Sequence, residues 1–156
     1  AFSVTTTDIQ ADLAELRYSH NFNFKTVLVD YADIVEAEIP TADDVSHLNQ
    51  VWKAMKRAAG ETFTLWVTGS QTTRDAIERE LIIEKDVAGN IKKLAHVDAM
   101  FTINQTKLEK EELVTRISAL AHRHKFTTRA QVAILHQLAI GLPYIDSEWW
   151  WGGKNN

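Results

Sequence analysis

Asp30 closes a short apolar run, Thr26-Val27-Leu28-Val29, and is followed by Tyr31, Ala32 and Asp33. A carboxylate at the tip of an apolar strand can hold a magnesium ion through water. The same residue can also simply end a strand, as acidic residues often do. A second apolar run, Phe63 to Thr68, ends in Gly69-Ser70-Gln71-Thr72-Thr73-Arg74. An amide such as Gln71 at a strand tip can sense a phosphate or position water. Gly and Ser also make a hydrogen-bonding turn there without any ligand. A third run, Ala99 to Ile103, ends in Asn104-Gln105-Thr106. Beyond it Arg116, His122, Arg123, His124, Lys125 and Arg129 gather positive charge in a chain whose net charge is −4. Arg123 is then either a finger toward a neighbouring subunit's nucleotide or part of a solvated hairpin turn.

These residues need elements to hold them. The 156 residues suffice for one domain, read here as a single unit over 1–156. With 45% hydrophobic and 24% charged residues the balance is globular. The acidic net charge leaves no global basic footprint for nucleic acid. The absence of cysteine excludes a disulfide scaffold and a thiolate metal site. No apolar run reaches about 18 residues, so no transmembrane segment is expected.

Thr7 to Arg17 reads as a helix, with Thr7 and Gln10 as a capping box. Another helix is expected from Pro40-Thr41, capped by Thr41 and stopped at Gly60, with Val45, Leu48, Val51, Trp52 and Met55 at helical spacing. A helix with a loop is expected around Arg74 to Lys85, and a short helical segment at residues 91–95. The apolar runs at 26–30, 63–68 and 99–103 read as strands, the first buried on both faces. Residues 114–120 and 131–138 read as further extended segments, the second with helical spacing as an alternative. Alternating helices and strands predict an α/β fold with a mainly parallel sheet and flanking helices. In such sheets ligands sit at the carboxyl ends of strands, where Asp30, Gln71 and Asn104 lie.

The order of the pieces is more specific than any one of them. Asp30-Tyr31, then Ser70-Gln71-Thr72-Thr73-Arg74, then His96-Val97-Asp98 before a strand, then an Arg-bearing hairpin, resembles the second half of a RecA-fold motor ATPase. The similarity is to the replicative DnaB-type helicase family, including its phage members, over roughly residues 4 to 140. The resemblance implies a RecA-like P-loop NTPase core lacking its N-terminal, P-loop part. It implies that Asp30 is the Walker B carboxylate and helps hold magnesium. Gln71 would couple nucleotide to DNA-binding loops, and Arg123 would be the finger. It further implies ATP as cofactor with magnesium, and single-stranded DNA, copies of the chain in a ring and other replication proteins as partners, in the cytoplasm. Around the finger the family pattern departs: Ala121 stands where the family has Lys, and Lys125 where it has Gly.

No G-x-x-x-x-G-K-[ST] occurs anywhere in the sequence, and the resemblance places the P-loop strand upstream of Ala1. The chain by itself is therefore expected not to hydrolyse ATP. Two other readings stay open. One is a catalytically inert RecA-like module that binds or assembles. The other is an unrelated α/β domain using Asp30, Asp33 and Glu36 as an acidic metal site. The six histidines have no metal-ligand spacing. Trp149, Trp150 and Trp151 either stack on bases or pack on a core.

Overall fold

A computed structural model describes residues 3–87, 92–124 and 130–150. The chain forms two compact units, Ala1–Thr72 with Val87–His96, and Thr73–Asp86 with Val97–Asn156.

The first unit opens with α1 (Thr6–Ser19). Its cap is Thr5, not Thr7. The Thr5 hydroxyl accepts the Asp8 amide at 3.2 Å, while the Asp8 carboxylate accepts the Thr5 amide at 2.9 Å. Both Thr5–Asp8 and Thr7–Gln10 have the capping-box spacing. The ionised Asp8 is the better acceptor at the positive end of a helix. The Thr5 backbone and side-chain hydrogen bonds hold the Asp8 carboxyl below its ordinary range.

Two parallel strands follow, β1 (Thr26–Val29) and β2 (Leu65–Thr68), paired Val27 to Trp66 and Leu28 to Val67. Between them lies α2 (Asp44–Thr62). Its cap is Asp43, which accepts the Ser46 amide at 2.8 Å, in place of the expected Thr41. Leu48, Val51, Trp52 and Met55 lie on its buried face, as their helical spacing predicts, joined by Ala58, while Val45 is exposed. The helix runs through Gly60 and ends when Phe63 takes the left-handed conformation, φ 52°. The Thr62 hydroxyl, bonded to the Ala58 carbonyl at 2.7 Å, ties down the last turn. Contrary to expectation, the first strand is not buried on both faces, and neither is its partner. Val27 is buried on one side, while Leu28, Leu65 and Val67 are exposed on the other. This unit closes with the short helix α3 (Lys93–His96). The expected segment at 91–95 thus begins two residues later, and Ile91 lies outside the described residues.

The second unit corrects the expectation of a mainly parallel sheet. Its four strands, β3 (Ala99–Asn104), β4 (Val114–His122), β5 (Gln131–Gln137) and β6 (Leu142–Trp150), are ordered in sequence and entirely antiparallel. The physical reason is the connections. A parallel return needs a crossover of about a dozen residues or more, usually helical. Here the link from β3 to β4 holds only the five-residue α4 (Lys107–Glu111), and that from β5 to β6 one turn of 3-10 helix, Leu138–Ile140. Gly141 leaves that turn at φ 74°, a conformation that suits glycine. The segment around Arg74 is 3-10 helix at Arg74–Glu78 and Glu84–Asp86. Residues 131–137 are strand, so the helical alternative falls.

This sheet buries polar side chains on one face. The Thr102 and Ser118 hydroxyls meet at 2.6 Å, and the Asn104 amide donates to both at 3.0 Å. The Asn104 carbonyl oxygen accepts the Ile82 amide at 2.8 Å. Arg116 donates to the Glu109 carboxylate, to Gln131 Oε1 at 2.8 Å and to the Glu80 carbonyl at 2.7 Å. The alternate residues Phe101, Ile103 and Trp149 are exposed. Trp149 and Trp150 belong to the exposed β6, with Pro143 where an edge strand tolerates it. Trp151 lies outside the described residues. Among the described residues no helix is long and apolar enough to cross a membrane.

Candidate functional site at the tips of the parallel strands

Thr68, the last residue of β2, joins the two strand ends. Its hydroxyl donates to the Val29 carbonyl at 2.8 Å and accepts the Ala32 amide at 2.8 Å. Asp30 therefore leaves β1 at the tip of the pair, exposed, and its carboxylate has no partner among the described residues. A cis peptide bond joins it to Tyr31. The chain then winds one 3-10 turn, Ala32–Ile34, which carries Asp33 back toward the β2 tip.

Gln71 is placed against this turn. Its side-chain amide donates to the Tyr31 hydroxyl at 3.1 Å and its backbone amide to Asp33 Oδ2 at 3.4 Å. Ser70 donates to the same Oδ2 at 3.1 Å. On the other oxygen, Oδ1, Asp33 accepts the Trp52 indole at 3.3 Å and the Lys93 ammonium at 2.8 Å. Lys93 also donates to Ser70 Oγ at 2.9 Å and lies 5.5 Å from the centre of the Trp52 ring. It is 1% exposed. Lysine almost never buries fully without a partner, and this one has an anion, a hydroxyl and an aromatic face.

Gln71 thus contacts Tyr31, the residue after Asp30, within the first unit. Arg123 belongs to the second unit, one residue past β4. Its backbone amide donates to the Asp98 carbonyl at 2.8 Å, and its Nε lies 3.4 Å from the Asp98 carboxylate. Its guanidinium also reaches the Val97 carbonyl at 3.4 Å. Beside it the His124 amide donates to His122 Nδ1 at 3.2 Å, and the two rings meet edge to face. Lys125 and Arg129 lie outside the described residues.

The acidic metal site of Asp30, Asp33 and Glu36 is corrected. Asp33 is saturated by four donors from Trp52, Ser70, Gln71 and Lys93, and among the described residues no three acidic or histidine side chains converge as metal ligands. Asp30 keeps an open carboxylate at the strand tip, which suits an ion held through water. Sequence reasoning missed Lys93, Trp52 and Thr68. Lys93 carries no signal, since a Lys-Lys pair in a polar stretch reads as surface.

No protein-family model matches the sequence, and no curated protein is similar to it. Solved structures are. The ATPase domain of G40P superposes with a TM-score of 0.74 at 14% identity, over 86% of this chain and 49% of that one. A DnaB-like replicative helicase, solved in a study of its interactions with primase, superposes with a TM-score of 0.75 at 13% identity, over 87% of this chain and 34% of that one. The chain has the fold of a DnaB-type helicase ATPase domain. At this identity the likeness is one of fold. The chain spans about half the length of the first solved structure and about a third of the second.

Proposed function

We propose that the chain is a portion of an ATP-dependent replicative DNA helicase, in which hydrolysis drives movement on single-stranded DNA and unwinding of the duplex. The observation that carries this reading is the open Asp30 carboxylate at the tip of a parallel strand pair, one residue from Tyr31, which Gln71 engages. In this reading Asp30 holds magnesium through water, as the Walker B carboxylate. Gln71 relays the state of the nucleotide to the DNA-binding loops. Arg123 reaches the nucleotide of a neighbouring copy in a ring. Magnesium supplies charge neutralisation on the ATP phosphates when both are bound. The cradle for those phosphates, backbone amides and a P-loop lysine, must come from a segment that these 156 residues do not contain. Single-stranded DNA, copies of itself and other replication proteins of the primase kind are the partners, in the cytoplasm.

The test is ATP hydrolysis by the complete protein with magnesium and single-stranded DNA. Asp30→Ala abolishes it with the fold intact. Full activity in that variant would sink the assignment. Arg123→Ala lowers hydrolysis in the assembled oligomer and leaves any monomer activity unchanged.

A second reading is favoured by the missing P-loop sequence. A catalytically inert module of the same fold would assemble or bind a partner without nucleotide. Its melting midpoint would not move with Mg-ATP, whereas a nucleotide-binding protein is stabilised by its ligand.

A further inference from the structure

Among the described residues Lys93 is the largest fully buried side chain, and nothing assigned so far uses it. An ammonium loses strong hydration on burial, and a fold keeps it inside only where that loss is offset. Its surroundings are arranged around one oxygen pair. Lys93 and Trp52 donate to Asp33 Oδ1, and Ser70 and the Gln71 backbone donate to Oδ2. Lys93 also donates to Ser70 Oγ, so the Ser70 proton is directed to Asp33 and away from the neighbouring Gln71 carbonyl at 3.5 Å. The turn after β2 is thereby held from two sides, by Asp33 and by Lys93. Its next side chain, Gln71, donates to the hydroxyl of Tyr31, the residue that follows Asp30 in the chain.

We propose that Lys93 is a positioning residue for Gln71. Its ammonium locks the Ser70 hydroxyl and the Asp33 carboxylate together, and this fixes the direction in which the Gln71 amide points. The inference rests on the reading of Asp30 and Gln71 as a nucleotide site for its functional meaning, though not for its geometry. Under that reading α3 is mechanically tied to the group that relays the nucleotide state. A shift of α3 would withdraw Lys93 and release Gln71 from Tyr31.

The contact itself is observable in the full chain. In isotope-labelled protein, the two Gln71 side-chain amide protons should give a resolved pair of resonances with cross-relaxation to the Tyr31 ring. Lys93→Met keeps the length and removes the charge. It should abolish that cross-relaxation and collapse the Gln71 pair toward free-glutamine shifts, while the β1 and β2 amides keep their positions. Trp52→Phe removes a different donor from the same Asp33. It should lower the melting midpoint and leave the Gln71 signature in place. A merely structural lysine would give both variants the same spectrum at matched stability. Should Lys93→Met fail to fold, the pair Lys93→Met with Asp33→Asn removes both buried charges and serves instead, with the same expected loss. Retention of the Gln71 signature in the folded variant overturns the proposal. In the complete protein, with the phosphate cradle present, Asp30 and Gln71 resonances that ignore Mg-ATP would overturn the nucleotide reading alone.

Discussion

Among the described residues, each unit holds a cation buried against a carboxylate, and the two do so differently. In the first, Lys93 meets Asp33 with side chains 1% and 15% exposed. In the second, Arg116 meets Glu109 with 6% and 15% exposed. The guanidinium spreads its donors over three partners on a sheet face, Glu109, Gln131 and the Glu80 carbonyl. The ammonium concentrates on two oxygens at the tips of two strands. A planar fork suits a rigid junction between a sheet and the segments laid on it, while a point charge on a flexible stem suits a turn that must be held in one setting. Arg116 therefore reads as a rivet of the fold. Lys93 holds Asp33 and Ser70, the latter next in the chain to the Gln71 to which a function is attached.

The sharpest way to break this contrast is to remove each cation. Arg116→Met leaves Glu109 and Gln131 without their main donor in a buried setting. Loss of one partner of a buried pair costs about 3–5 kcal/mol. We expect β3, β4 and β5 amides to lose protection from hydrogen exchange while α2 keeps its own. Arg116→Lys should recover only part of the loss, because an ammonium cannot span three acceptors. Lys93→Met should cost less, about 1–3 kcal/mol, because Asp33 retains the Trp52, Ser70 and Gln71 donors. If the Lys93 variant proves the more damaging in melts, the assignment of rivet and positioner is reversed.

The contrast was half legible in the sequence. Apolar runs ending in polar residues located β1, β2 and β3, and helical spacing located the buried face of α2, because these patterns follow directly from burial. Asp30 and Gln71 were visible for the same reason, as polar residues at the ends of apolar runs. Lys93 was not, since its burial depends on Asp33 and Ser70, which lie far away in sequence. Asp33 was misread for the matching reason. Next to Asp30 it looks like a second metal acid, and only the fold supplies the donors that occupy it. The direction of the second sheet was hidden too. Periodicity marks a strand but says nothing about its partner. The exposed β6, with Pro143, Asp146 and Glu148, has too mixed a pattern to read as a strand at all.

Acid sharpens the comparison on the side of the second unit. Burial pushes the Glu109 carboxyl up, but hydrogen bonds from Arg116 and from the Thr106 backbone and side chain outweigh it, and the net shift is downward from 4.5. A carboxyl lowered in the folded state stabilises fully above its unfolded value, and that contribution fades as pH falls through the folded value. We therefore expect the melting midpoint of β3 to β5 to fall as the pH drops below about 4.5. Glu109→Gln should start from a lower midpoint at neutral pH and flatten that acid limb. A limb as steep in the variant as in the wild type would place the acid sensitivity elsewhere.

The smallest test compares two caps of the same type. Thr5 closes α1 in the first unit and Thr106 closes α4 in the second, each in a capping box with an acid three residues on. Thr5→Ala should cost about 1 kcal/mol, the usual value of a cap. In the second box the acid has two duties, because Glu109 accepts the Thr106 amide at 2.7 Å and Arg116 Nη2 at 3.2 Å through the same oxygen. Thr106→Ala loosens the turn that aims this carboxylate, so its effect should exceed that of Thr5→Ala. In the background of Arg116→Met the excess should vanish, since groups in one network do not add. A full, additive cost for Thr106→Ala in that background would mean that cap and rivet act independently, and that the second unit is fastened at two places instead of one.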